Sequence, residues 1–347
     1  MTDAITVGGL ETYLACPRQY EFAHVYGLAG DDDAEADRID LLRRAICAAL
    51  EADPTEPDAL VETARTRLAA LWDDHDERFH SRAQRRHERR VLEATLRAYA
   101  DRVGLEHARG VERLRAAAEG DPELVGPGRT LSCTVSAPVA ESEPGDGTDA
   151  DPGGEKTIEA NVDYVYAAES SIVAVRFVPT LAPLGLLRYR SEWDGDVETL
   201  FADHFDPDAD VFEPSPIAAL FETAVVLDGL RGLRDRLGLE RRTCRYVRIP
   251  LADRSGTSVN WVRNSVEASL EIVDLTDVYV DHHTYGMTHE HRNATVDGRL
   301  ERVVGRLISG AFDPSDRWER IERRICPRCE YAVCCQERIE REVRFDG

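Results

Sequence analysis

The spacing of apolar residues divides the 347-residue chain into a helical part, a strand part and a second helical part. In residues 8–28, Leu10, Tyr13, Leu14, Tyr20, Phe22 and Val25 stand near helical spacing and predict one amphipathic helix. An acidic loop at 31–33 follows. Residues 36–118 are helical in pattern, broken at Pro54, Pro57 and the polar segment 73–76. The period then changes to two. Residues 129–139 alternate like a strand, and 157–166 (TIEANVDYVY) and 171–178 (SIVAVRFV) predict two adjacent strands joined by a turn at 168–170. Residues 141–155, ESEPGDGTDADPGGE, are acidic and rich in Gly and Pro, which predicts a disordered loop or a hairpin tip. Further on, 213–237 predicts a helix, 243–250 a strand, 258–280 carries both signals, and 295–310 predicts a helix. No internal repeat is present. This order predicts one α/β domain over residues 1–347, with a small mixed central sheet flanked by helices and a helical insertion at about 36–118.

The composition changes what charge can mean here. With 42% hydrophobic residues there is ample material for a core, and no apolar run is long enough to span a bilayer. Met1 leads into a polar segment without a signal peptide, so a soluble, cytoplasmic protein with no membrane partner is expected. The formal net charge is -23, from 66 acidic and 43 basic residues, and Lys156 is the only lysine. Excess acid with almost no lysine is the surface composition of proteins from salt-loving cytoplasms, where self-repulsion is screened within a few ångströms. A GC-rich genome explains Arg over Lys, but not the acid excess. Net negative charge ordinarily argues against nucleic acid, because phosphate binding needs a basic footprint. Local charge is then the informative quantity. Arg82, Arg85, Arg86, Arg89 and Arg90 form one basic stretch, and Arg231, Arg234, Arg236, Arg241, Arg242 and Arg245 another. Each is either a DNA contact or a solvated helix face with its own acidic partners.

Four of the eight cysteines fall in the segment CPRCEYAVCC at 326–335. In a reducing cytoplasm, cysteines this close read as metal ligands rather than as a disulfide framework. Cys326 and Cys329 place two thiolates on one turn, and Cys335 or Cys334 supplies a third. The natural fourth is Cys16, in YLACPRQYEF. Thiolate chemistry alone suits both zinc and iron–sulfur clusters. Four buried, unliganded cysteines are the plainer alternative. Cys47, Cys133 and Cys244 are isolated, apolar-flanked and read as core residues.

The pattern Leu10, Tyr13, Cys16, Pro17 and Tyr20 resembles the opening motif of iron–sulfur nucleases of the PD-(D/E)XK superfamily, the AddB and RecB-type exonuclease domains and related CRISPR-associated nucleases. Cys326, Cys329 and Cys335 match that family's C-terminal Cys-x2-Cys-x5-Cys, and Gly310, Ala311 and Phe312 with Pro314 are similar to the segment that leads into it. The resemblance implies a 4Fe–4S cluster on Cys16, Cys326, Cys329 and Cys335, with zinc as the alternative. It also implies a restriction-endonuclease-like core, with the cluster joining the two chain ends.

Such nucleases hold one or two divalent metals on an Asp and a second carboxylate, assisted by a Lys two residues further on. Asp163 stands where the family places its first ligand, and strand alternation puts Glu159 and Asn161 on the same face. A plain exposed polar strand face is the alternative. The family's (D/E)-x-K falls on Ala174, Val175 and Arg176, so the second carboxylate and the lysine are both missing. Lys156 falls on the opposite strand face from Asp163. Residues 44–51 look like the family's His-bearing helix with Cys47 in place of His. Residues 218–227 resemble its Gln-x-x-x-Tyr helix, with Ala219 and Thr223 at the diagnostic places. Arg176 is expected to compete for Asp163 as an ion pair, and a magnesium site on Asp163 and Glu159 is expected to be weak. No phosphate-binding GxxxxGK[ST] loop exists, since Lys156 follows Glu155.

The resulting expectation is a DNA-binding protein of nuclease fold whose catalytic centre has degenerated at Asp163 and Arg176. It would act in DNA repair or recombination beside a separately encoded helicase. One rival is a working magnesium-dependent exonuclease that rebuilt its site from Glu159, Asp163 and a displaced acid such as Glu169 or Glu222. The other is a zinc-stabilised scaffold without a DNA role.

Overall fold

The computed structural model describes residues 4–28, 34–52, 54, 56–118, 123–136, 154–192, 196–260, 263, 265–280 and 292–342. Most of the acidic segment expected as a loop, 141–153, lies outside them. A two-residue strand β1 (Ile5–Thr6) runs directly into α1 (Val7–Ala15), whose first turn is capped by the Thr6 side chain accepting from the Gly9 N–H. The single helix expected over 8–28 is divided. Cys16 is extended, with φ -159° and ψ 115°, because Pro17 excludes the helical region for the residue before it. Pro17 then opens α2 (Pro17–Tyr20), followed by a π-helical turn at Glu21–Val25.

The helical block forms as expected: α3 (Ala34–Glu51), α4 (Pro57–Asp74), α5 (Arg82–Tyr99) and α6 (Leu105–Ala117). The strands follow as β2 (Val125–Ser136), β3 (Glu155–Ala167) and β4 (Ser171–Val178). β2 begins earlier than alternation predicts, because a register shift between Val125 and Arg129 absorbs the irregular residues, with Gly128 at φ 85°. Then come α7 (Val197–Phe205), the long α8 (Pro214–Arg236) and β5 (Thr243–Pro250). The region of mixed signal resolves into a hairpin of β6 (Thr257–Asn260) and β7 (Ser265–Ala268), then β8 (Val273–Asp274) and the short α9 (Thr276–Tyr279). Helices α10 (Ala294–Ile308), α11 (Trp318–Arg324) and α12 (Gln336–Glu342) complete the described chain.

The main sheet is mixed. β3 pairs with β2 along one edge, while β1 and β4 share the other edge at its two ends. The β3–β4 pairing is antiparallel, β4–β5 parallel and β5–β8 antiparallel. α8 crosses this sheet and is buried continuously from Pro216 to Leu227, which explains a sequence that is apolar on all sides. It approaches β2 so closely at Gly229 that an added Cβ would stand 2.8 Å from the Leu131 side chain. One large core holds the sheet and most helices. A smaller apolar cluster of Cys16, Phe212 and Ile321, with Ile325 and Cys326 against it, lies where the N-terminal segment meets the C-terminal one.

Candidate functional site

The register Tyr164↔Val175, taken one step further, sets Asp163 opposite Arg176 on neighbouring antiparallel strands, as the order of the matched motifs implies. Asp163 is fully buried, not part of an exposed polar face. Its Oδ1 accepts from the Arg43 Nε at 2.8 Å, and its Oδ2 accepts from the Phe177 backbone N–H at 2.7 Å. Burial pushes this carboxyl up, against the pull of Arg43 and the Phe177 amide. α3 also places Cys47 here. Its thiol donates to the Asp163 carbonyl at 3.6 Å, and burial with the adjacent carboxylate holds it protonated. The position expected for a histidine does face Asp163, but offers a neutral sulfur.

The expected Arg176–Asp163 ion pair is not formed. Arg176 instead donates to Glu222 of α8, whose other oxygen accepts from Arg248 of β5. Parallel pairing of β4 with β5 sets Arg176 and Arg248 side by side, so a single buried carboxylate between them offsets two like charges. Arg248 also donates to the Tyr246 hydroxyl at 3.3 Å. Burial alone would raise the Glu222 carboxyl, but Arg248 and Arg176 outweigh it and hold the group below its ordinary value. Arg43 thus takes the place expected for Arg176, because α3 reaches Asp163 while α8 presents Glu222 to Arg176.

The other candidate ligands are scattered. Glu159 lies four residues along β3 from Asp163, about 13 Å at strand rise, and Asn161 is exposed, accepting from Thr130 at 3.3 Å. Glu169 is exposed in the β3–β4 turn. Thr223 is buried and donates to the Ala219 carbonyl at 2.7 Å, so neither diagnostic position of α8 presents a free polar group. Lys156 pairs in register with Val135, seven residues from Asp163.

At the other end of the molecule the motif residues assemble two chain ends. Tyr13 donates to the Ala311 carbonyl at 2.7 Å, and its ring meets Phe312 edge-on while Tyr20 stacks on the same ring at 5.9 Å. Arg18 bridges Glu21 and Glu337, and Tyr331 donates to the Leu28 carbonyl at 3.0 Å. Cys16 is buried, and its thiol is pushed up to about 11, chiefly by burial and further by Cys329 and Cys326. Cys326 in turn senses Cys329 and Cys335. Cys335 is buried, whereas Cys334 is exposed and donates to the Tyr331 carbonyl at 3.3 Å. Among the described residues, no group of three or more His, Cys, Asp or Glu side chains is arranged to hold a metal ion. Cys47, Cys133 and Cys244 are buried at separate places in the main core.

Of the two basic stretches, the second is largely spent internally. Arg231 pairs with Asp228 at 3.0 Å, Arg245 with Asp274, and Arg242 donates to the Ala168 carbonyl. In the first, Arg85 donates to the Trp72 carbonyl and Arg89 pairs with Glu93 one turn on. Sequence reasoning missed Arg43 and Arg248. Arg43 had a legible signal, one turn before Cys47 on the same helix face. Arg248 had none, since its role depends on the long-range β4–β5 pairing.

Among the described residues, no helix is long and apolar enough to cross a membrane. No curated protein matches the chain. Residues 4–175, just under half of the chain and including α3, β3 and most of β4, match the family model of the PD-(D/E)XK nuclease superfamily, and the mixed sheet flanked by helices fits that core.

Proposed function

We propose that this protein is a nuclease-fold, nucleic-acid-binding subunit whose catalytic centre has become an internal ion-pair framework. It acts in DNA repair or recombination beside a separately encoded helicase. The observation that carries this reading is the engagement by guanidiniums of two buried carboxylates at the sheet, Asp163 by Arg43 and Glu222 by Arg176 and Arg248. A hard divalent cation needs several oxygen ligands converging on one point. Here each carboxylate is neutralised in place, Ala174 offers no oxygen, and the thiol of Cys47 is too soft for magnesium. The helicase partner follows from the family resemblance of the two end motifs.

The same reading assigns Cys16, Cys326, Cys329 and Cys335 to a 4Fe–4S cluster. Four soft sulfur ligands suit that chemistry. Cys16 and Cys326 meet in one apolar cluster, and Cys335 is favoured over Cys334 because it is buried and Cys334 exposed. When bound, the group supplies a tie between chain ends that the aromatic and ionic contacts of Tyr13, Tyr20 and Arg18 already hold together.

Single- and double-stranded DNA incubated with cluster-loaded protein, with Mg²⁺ or Mn²⁺ and at low and molar salt, is expected to be bound and to remain uncut. Cleavage abolished by Asp163→Ala would overturn the reading in favour of a rebuilt active site.

A further inference from the structure

A second basic site lies away from Asp163, in a cleft of about 450 Å³ between the end of α7, the outer face of α10 and the segment entering α11. Arg299, Arg302 and Arg306 occur on α10 at intervals of three and four residues, so one helix face carries all three. Arg317 comes from the opposite wall. Between the walls stands Phe205, with the guanidinium of Arg299 5.1 Å from its ring centroid and that of Arg317 5.3 Å from it. The ring fixes both cations while leaving their N–H edges unspent.

The charge balance of this cleft is unusual for the chain. Acidic residues outnumber basic ones 66 to 43, so a carboxylate is available to most arginines. Yet among the described residues Arg299, Arg302 and Arg317 form no ion pair. Arg302 donates to the Gly298 carbonyl at 3.1 Å, and a guanidinium nitrogen of Arg317 lies 3.1 Å from the Nε2 of His204, whose Nδ1 already accepts from the Glu213 backbone N–H. Burial and neighbouring guanidiniums push Arg299 and Arg317 below their ordinary values. The two lining acids do little to balance them: Asp316 pairs with Arg306 at 3.7 Å, and Asp313 accepts from the Ser315 backbone N–H at 2.9 Å. Cations held together without counter-charge are stabilised by an anion.

We infer that this cleft binds backbone phosphates of a single-stranded nucleic acid through Arg299, Arg302 and Arg317. The assignment rests on the nucleic-acid-binding reading above and gives it a surface. Arg299 and Arg306 lie about 10 Å apart along the helix axis, a spread suited to successive phosphates on one chain rather than to one small ion. A cavity of about 450 Å³ has room for a short stretch of one strand and not for a duplex. Arg299 and Arg317 both lie over the Phe205 ring, so the ring is already engaged by cations rather than offered to bases, and binding is sequence-independent.

The test measures binding of a fluorescent oligothymidylate to the full-length protein by anisotropy across a potassium chloride series. The double variant Arg299→Gln/Arg302→Gln is expected to bind at least about tenfold more weakly. Its slope of log affinity against log salt is expected to be shallower by about 1.4, at about 0.7 per lost contact. Arg67→Gln/Arg109→Gln, at exposed positions of α4 and α6 outside both basic stretches, is expected to leave both quantities unchanged. Should the first double variant fail to fold, Arg302→Gln alone, at an exposed position, is expected to show half the slope change. Unchanged affinity and slope in a folded α10 variant would overturn this inference while leaving the proposed function intact. No binding by the wild-type protein would overturn both. Tripolyphosphate displacing the strand at stoichiometric concentration would reassign the cleft to a small anion.

Discussion

Glu222 sits at the centre of the most consequential group of charges in the fold. Its side chain is 1% exposed and accepts from both Arg176 and Arg248. Removing its charge leaves two guanidiniums side by side without a counter-ion, and uncompensated buried charge is far costlier than loss of an exposed pair. Glu222→Gln is therefore expected to lower stability by about 3 kcal/mol near pH 7, read as a fall in the urea midpoint at unchanged slope. The pH dependence has a definite sign. The folded-state value of Glu222 is depressed below its ordinary 4.5, so its stabilisation is complete above that pH and is lost as pH falls through the lowered value. The gap between wild type and Glu222→Gln should close below pH 4.5. A gap that stays constant into acid would show that the carboxylate is not ionised between the arginines.

At the scale of elements, the break between α1 and α2 decides how the chain ends meet. Pro17 releases Cys16 from the helix, and the following turn carries Tyr20 back over Phe312. Tyr13 reaches the adjacent Ala311 carbonyl from the other side. The three rings and one hydrogen bond thus dock the approach to the cysteine segment independently of any ligand. Phe312→Ala is expected to cost about 2 kcal/mol, less than a fully buried ring because Phe312 is partly exposed. Tyr13→Phe should cost about 1 kcal/mol through the lost hydrogen bond. Chemical denaturation of both variants, with and without bound metal, checks this. If neither substitution moves the metal-free midpoint, the docking belongs to the cysteines alone.

At the scale of the molecule, a tie between residue 16 and residues 326–335 would close nearly the whole chain into one loop. Such closure removes the most entropy from the unfolded ensemble, and metal binding becomes folding free energy. Anaerobically purified protein is expected to absorb near 400 nm. Alanine at Cys16, Cys326, Cys329 or Cys335 should abolish that absorption and lower the melting temperature. Alanine at Cys47, Cys133 or Cys244 should leave the colour intact, since those thiols lie apart in the main core. Stoichiometric zinc in place of iron would select the zinc assignment, and neither metal would remove the cofactor from the protein altogether.

Local pattern determined much of this protein. Period-two runs placed β3 and β4, and β5 occupies the residues its alternation predicts, because side-chain alternation and burial are written residue by residue. The end motifs were legible too, since Cys, Pro and aromatic residues at fixed offsets have few other uses. The order of the matched motifs also placed Asp163 and Arg176 on adjacent strands. It could not say which cation would reach Asp163. That depended on α3 delivering Arg43 to a strand 120 residues away, and on parallel pairing bringing Arg248 beside Arg176. The same holds for the arginine cleft, whose α10 face is visible at helical spacing but whose Phe205 and Arg317 come from other elements. Charge pairing is a property of positions in space, and two arginines that are equal in sequence become a counter-ion or a binding group only when the fold supplies or withholds a carboxylate.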